Sequence, residues 1–140
     1  MTDGDHALRT AGAVLVVDGD IVSRHAIADY LRHCGYAVVE AAGTDEAMIA
    51  VTEPALGIDV ILCDVAAIGE TSGFELAHWV RDTRPGLEVR LAASLESAAR
   101  FASQLCEIGP HLNLPYEREA VVHYIRQLRA ARDRDRSVQS

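Results

Sequence analysis

The sequence predicts an α/β domain in which a five-stranded parallel sheet is doubly wound by five alternating helices. Three observations carry this expectation. Short apolar runs alternate along the chain with longer stretches of helical periodicity, the pattern of repeated βαβ units. The first run, Ala13 to Val17 (AVLVV), is apolar without alternation, as a strand covered on both faces requires. Three of the runs stop on a polar residue: Asp18 after the first, Asp64 after the third and Ser94 after the fourth.

The elements follow in order. Beyond Val17 the turn Asp18-Gly19-Asp20 leads into a helix whose apolar residues Ile27, Leu31 and Cys34, with Tyr30 beside them, share one face. Gly35 stands where a helix C-cap places it. Tyr36 to Glu40 (YAVVE) is the second strand. Thr44 is expected to cap a helix running to about Thr52, after which Pro54 and Gly57 break the chain. Val60 to Cys63 (VILC) is the third strand, ending at Asp64. A loop with Gly69 and Gly73 opens a helix carrying Phe74, Leu76, Ala77 and Val80, closed by Pro85-Gly86; Phe74 and Trp79 are expected in or near the core. Val89 to Ala93 (VRLAA) is the fourth strand, followed by a helix through Ala98, Phe101, Ala102 and Leu105. His111 to Leu114 reads as a short fifth strand before Pro115. In the last helix Val121, Tyr124, Ile125 and Leu128 fall at the spacing of a buried face. Residues 1–10 are expected as a disordered tail, 11–130 as the domain, and 131–140, with its RDRDRSVQS run, as a solvated helix end and tail.

Composition bounds the function. The 140 residues make one domain, and 49 % hydrophobic content argues against disorder. A formal charge of −8 disfavours direct contact with nucleic acid, which needs a basic surface. No apolar run approaches the ~20 residues that cross a bilayer, and the polar, acidic N-terminus is unlike a signal peptide, so a cytoplasmic protein with no membrane contact is expected. Cys34, Cys63 and Cys106 form no CxxC pair and are expected as buried reduced thiols rather than a disulfide or zinc site. His25 and His33, eight apart on one helix, have no third ligand in view. There is no GxGxxG, no P-loop and no histidine with an acid/base partner, which weighs against a flavin binder or small enzyme on the same fold.

In doubly wound sheets, ligand sites form at the carboxyl ends of the strands, where the strand order reverses. That puts Asp18, Asp20, Asp64 and Ser94 on one rim. Carboxylates gathered there repel one another and call for a cation, a proton or a basic side chain. Oxygen ligands suit magnesium, and a carboxylate beside it can act as nucleophile and form an aspartyl phosphate, with the Ser94 hydroxyl donating to a phosphoryl oxygen. The plainer alternatives are that Asp18 and Asp20 shape the turn and cap the first helix, and that Ser94 caps the helix after it.

At these residues the sequence resembles response-regulator receiver domains. VLVVDGD with Arg24, VILCD, the helix start GFEL at Gly73 to Leu76, LAAS and LPY at Leu114 to Tyr116 follow the family's order over roughly residues 13–130. The resemblance implies a flavodoxin-like strand order, 2-1-3-4-5. It implies Asp64 as phosphoacceptor and Ser94 as switch hydroxyl. It also implies Mg2+ held by Asp18 and Asp64, with Asp20 and the backbone carbonyl of Ala66 as further ligands. The implied protein is a signalling module, not an enzyme. Its partners would be a histidine kinase or phosphotransfer protein and a downstream protein, with a homodimer through the face of the fourth and fifth helices. Three departures stand out. Gly19 occupies the place of the family's second adjacent acid, Leu114 that of its lysine, and the loop VAAIGETSG is one residue longer and lacks the usual proline. They open the alternative of a degenerate, phosphate-independent interaction module, docking through the last helix and the face around Ser94 and His111. No basic recognition helix follows residue 130, so output is expected by protein contact.

Overall fold

The computed structural model describes residues 12–108 and 117–139. In chain order the elements are β1 (Ala13–Val17), α1 (Ile21–His33), β2 (Val38–Ala41), α2 (Thr44–Val51), a 3-10 turn (Pro54–Leu56), β3 (Ile58–Asp64), α3 (Gly73–Thr83), β4 (Glu88–Ala92), α4 (Leu95–Ile108) and α5 (Arg118–Gln139). The four described strands are parallel, in the order β2-β1-β3-β4. The expected fifth strand, His111 to Leu114, lies outside the described residues.

β1 is central, and all five of its residues are buried. Its side chains alternate between two cores. Val14 and Val16 point to the face covered by α1, α4 and α5, with Ile27, Leu31, Ala102, Leu105 and Ile125. Leu15 and Val17 point to the face covered by α2 and α3, with Ala47, Val51, Ile61, Leu76 and Val80. The two-sided burial explains the uninterrupted apolar run in the sequence.

Local chemistry sets the helix ends. Asp20 caps α1, its carboxylate accepting from the Val22 and Ser23 N–H groups, and Gly35 follows the C-cap at φ 100, where a side chain would strain the backbone. α3 begins on a capping box between Ser72 and Glu75. The cap expected of Thr44 is not made: Gly43 holds the N-cap position of α2, and the Thr44 hydroxyl donates instead to the Thr71 carbonyl at 2.7 Å. That bond pins the loop after β3 against α2.

Three expectations about packing are corrected. Cys34 and Cys106 are not free thiols but a disulfide joining the C-terminal end of α1 to that of α4, with Cα atoms 5.3 Å apart; only Cys63 among the described cysteines is free. The two positions are 72 residues apart, so spacing alone does not reveal that the fold superposes them. Phe74 is exposed, because it lies off the helix face of Gly73, Leu76 and Val80 that packs on the sheet, whereas Trp79 packs against the core as expected. On α5, Val121 and Ile125 are buried but Tyr124 is exposed, because only a narrow i, i+4 stripe of this helix meets its neighbours.

The direction of α5 matters for the site. Arg132 meets Asp20 at the start of α1, while Arg118 lies within electrostatic reach of Tyr30, near the end of α1. α5 therefore runs antiparallel to α1 and carries Arg129 and Arg132, in its second half, to the carboxyl ends of the strands. At 22 residues it is about 33 Å long.

Candidate functional site

β1 and β3 are neighbours in register, with Val17 opposite Cys63, so the residues that follow them, Asp18 and Asp64, come side by side. This is the point where the chain leaves β1 for β2 on one side and continues through β3 to β4 on the other. A cavity of about 230 Å³ opens there, lined by Asp18, Asp64, Ala66, Ser94, Leu95 and Arg129 among others. Three of the sequence-predicted residues, Asp18, Asp64 and Ser94, thus share one cavity, with Ala66 beside them.

Asp18 is half-buried. Burial pushes its carboxyl above the ordinary carboxylate value; the Asp20 N–H, donating to Oδ1 at 2.9 Å, and the Arg129 charge pull the other way, but the charges of Asp64 and Asp20 add to the rise. A group held up by like charges is one that a cation would relieve. Arg24 secures the turn from behind, donating to the Asp18 carbonyl at 3.1 Å while pairing with Glu40 at 3.2 Å. Asp64 Oδ1 accepts from the Ala66 N–H at 3.0 Å, which fixes the carboxylate against its own loop.

Asp20 does not join them. It is spent as the α1 cap and in two ion pairs, Arg132 Nη1 to Oδ1 at 2.8 Å and Arg129 Nε to Oδ2 at 3.2 Å. Burial raises its pKa, but the Arg132 and Ser23 hydrogen bonds and the two guanidinium charges outweigh burial and hold the carboxyl below its ordinary value. Among the described residues, no group of three or more His, Cys, Asp or Glu is arranged to hold a metal. What remains, two converging carboxylates, fits magnesium in its usual manner: one or two carboxylates, several retained waters, and oxygens from a phosphoryl group.

Ser94 sits at the cavity edge and works as a helix cap, its Oγ accepting from the Ser97 N–H at 3.1 Å. Its hydroxyl lies 3.2 Å from Ser97 Oγ, a weak and exposed contact that an incoming acceptor can replace. Cys63, below the rim, is pushed to about 12 by burial and by the charges of Asp64 and Asp18, so it is no nucleophile. His25 and His33 bond to Glu40 and the Asp29 carbonyl, away from the cavity. Leu114 and His111 lie outside the described residues.

Two residues with no role in the sequence reading turn up at the site: Arg129 and Arg132. Arg132 lies in the charged helix end that composition reads as solvated, Arg129 just before it, and Arg132 is 112 residues from Asp20. Nothing local to either position signals the contact.

No curated protein matches the chain in sequence. Among solved structures it resembles a CheY-like response regulator receiver domain protein from Methanospirillum hungatei JF-1, at 20 % identity over 89 % of this chain and 98 % of that one, with a TM-score of 0.54. It also resembles the chemotaxis response regulator CheY4 of Vibrio cholerae, at 24 % identity over 83 % and 97 % and a TM-score of 0.53. A receiver domain protein from Clostridium thermocellum covers 91 % of this chain and 98 % of its own at 20 % identity, with a TM-score of 0.55. At these identities the likeness is one of fold. The model of the response regulator receiver domain family matches residues 14–115, most of the chain and both halves of the acidic rim, and by that match the chain belongs to the response-regulator receiver family.

Proposed function

We propose that this receiver domain accepts a phosphoryl group on Asp64 and signals by contact with a protein partner. The observation that carries the reading is that Asp18 and Asp64 open into the same cavity as the Ser94 hydroxyl, at the edge where β1 and β3 end. The donor would be the phosphohistidine of a histidine kinase or phosphotransfer protein. An Asp64 oxygen attacks phosphorus and forms the new P–O bond as the P–N bond to imidazole breaks. The leaving nitrogen keeps the electron pair and is neutral once the ring is protonated at one nitrogen. Magnesium, held by Asp18 and Asp64 with the Ala66 carbonyl as a further ligand, would neutralise charge on the transferred group. Asp18 orients the site from β1, and Arg24 holds the backbone that carries it. The Ser94 hydroxyl, released from Ser97, donates to a phosphoryl oxygen and passes the change to α4.

The test is incubation with magnesium and acetyl phosphate, read by intact mass. Wild type is expected to gain one phosphoryl group and Asp64→Asn none. No gain in wild type at long times, or an equal gain in both, overturns the reading.

A phosphate-independent docking module is the second reading. It is favoured by one observation, that Asp20 is already neutralised by two arginines of the same chain. A partner that binds wild type and Asp64→Asn equally, with or without acetyl phosphate, would support it.

A further inference from the structure

We infer that Arg129, delivered by the C-terminal helix, is the cationic residue that binds the phosphoryl group on Asp64. The inference rests on the phosphoacceptor reading above and names a residue that the reading does not require.

Three observations single out Arg129. It lines the same cavity as Asp64 and Ser94, and its charge reaches Asp18 as well as Asp20. Its Nε is shielded from solvent and lies 3.2 Å from Asp20 Oδ2, yet makes no hydrogen bond. A shielded charged donor without an aligned acceptor gains by finding one, and a phosphoryl oxygen in the cavity supplies it. The flanking arginines Arg126 and Arg132 are engaged differently. Arg132 holds Asp20 by a 2.8 Å hydrogen bond, and Arg126 pairs with Glu96 outside the cavity.

This division of labour lets Arg129 turn to a new anion without leaving Asp20 unpaired, because Arg132 stays on it. The planar guanidinium can then grip two phosphoryl oxygens at once, which a single ammonium cannot. The antiparallel course of α5 is what makes this geometry available, since it brings the second half of the helix, not its first turns, to the rim.

The experiment uses beryllium fluoride as the phosphoryl stand-in, added with magnesium to the full chain. Binding is followed by fluorine NMR, and the arginine Nε–H signals by nitrogen-15 NMR. In wild type the Arg129 Nε–H resonance, identified by its loss in Arg129→Gln, is expected to shift as the anion binds. Arg129→Gln should weaken the apparent affinity by about tenfold or more. Arg129→Lys should recover part of it, and Arg126→Gln should stay within about twofold of wild type. Unchanged affinity in Arg129→Gln with an unmoved Arg129 signal overturns the inference while leaving Asp64 as acceptor. Tighter binding in Arg129→Gln also overturns it, because Arg129 would then be a competitor of the anion. If wild type binds no better than Asp64→Asn, the phosphoacceptor reading falls and this inference with it. Should Arg129→Gln misfold, loss of the signal in Arg129→Lys identifies the Arg129 Nε–H, and its shift in wild type still decides.

Discussion

Replacing Asp20 separates its two tasks. The carboxylate caps α1 and pairs with Arg129 and Arg132, with side chains 25, 34 and 24 % exposed. Asn caps a helix as well as Asp does, so Asp20→Asn removes the charge and spares the cap. Two partly buried pairs, one of them a charge-assisted hydrogen bond, are worth about 1–2 kcal/mol together. Asp20→Ala should lose about 1 kcal/mol more, for the missing cap. For a domain of this size that means melting points lower by roughly 3–8 °C and a few degrees further. Urea unfolding followed by circular dichroism measures both variants, at low salt and at ~0.5 M salt, where the loss for Asp20→Asn should shrink. The pH dependence has a definite sign. The folded Asp20 carboxyl titrates below its ordinary value of 3.8, so the pairing stabilises the fold fully above that pH and is lost as pH falls through the lower folded value. Two results would refute the reasoning: equal stability of wild type and Asp20→Asn at low salt, or strictly additive losses for Asp20→Asn and Arg132→Gln in a double-mutant cycle.

Other perturbations test other parts of the molecule. A Cβ added at Gly19 meets only the Ala42 carbonyl, at 3.6 Å, so Gly19→Asp is sterically free; with an acid beside Asp18 it should tighten magnesium binding by about tenfold in calorimetry, and no tightening would mean that an acid here does not reach the metal. Alkylation of the unfolded, unreduced protein should label one cysteine, Cys63, and after reduction all three. Opening the 72-residue loop by Cys34→Ser with Cys106→Ser should cost about 4 kcal/mol in urea unfolding. In the native state Cys63, pushed to about 12, should resist iodoacetamide at neutral pH. Ile125→Ala should cost about 2–4 kcal/mol and Tyr124→Ala almost nothing, because the first is fully buried and the second exposed; equal losses would contradict the packing of α5.

The sequence exposed the parts of this molecule that depend on local pattern. AVLVV and VILC had to be central strands because no other element buries both faces, and their ends had to carry Asp18 and Asp64 to one rim. Gly35 was readable because a helix that ends in a positive φ wants glycine. What escaped depends on contacts across the fold. Phe74 looks like core by type, but it falls off the face of α3 that Gly73, Leu76 and Val80 turn to the sheet, and that face is settled only by packing. Cys34 and Cys106 become neighbours only when α1 and α4 pack together. The arginines of α5 have the pattern of any solvated helix, and their meaning comes from the direction in which the helix lies.

That direction bears on why Asp20 is engaged by the helix cap and by two arginines. In Asp18-Gly19-Asp20 the second acid falls on the N-cap of α1, where φ −84 and ψ 111 aim its oxygens at the helix's own first N–H groups. An acid one residue earlier would lie beside Asp18, before the helix begins. The one-residue displacement therefore converts a carboxylate that could face a metal into one that starts a helix, and leaves it open on its outer side to cations. α5 supplies two. Three carboxylates at the rim are thus opposed by two guanidinium groups, and the charge left to attract magnesium before any phosphoryl group arrives is smaller than three bare acids would present. Uptake of metal and of phosphoryl should accordingly depend on each other more than either depends on the acids alone: the affinity for magnesium, titrated by calorimetry with and without beryllium fluoride, should rise when the anion is present.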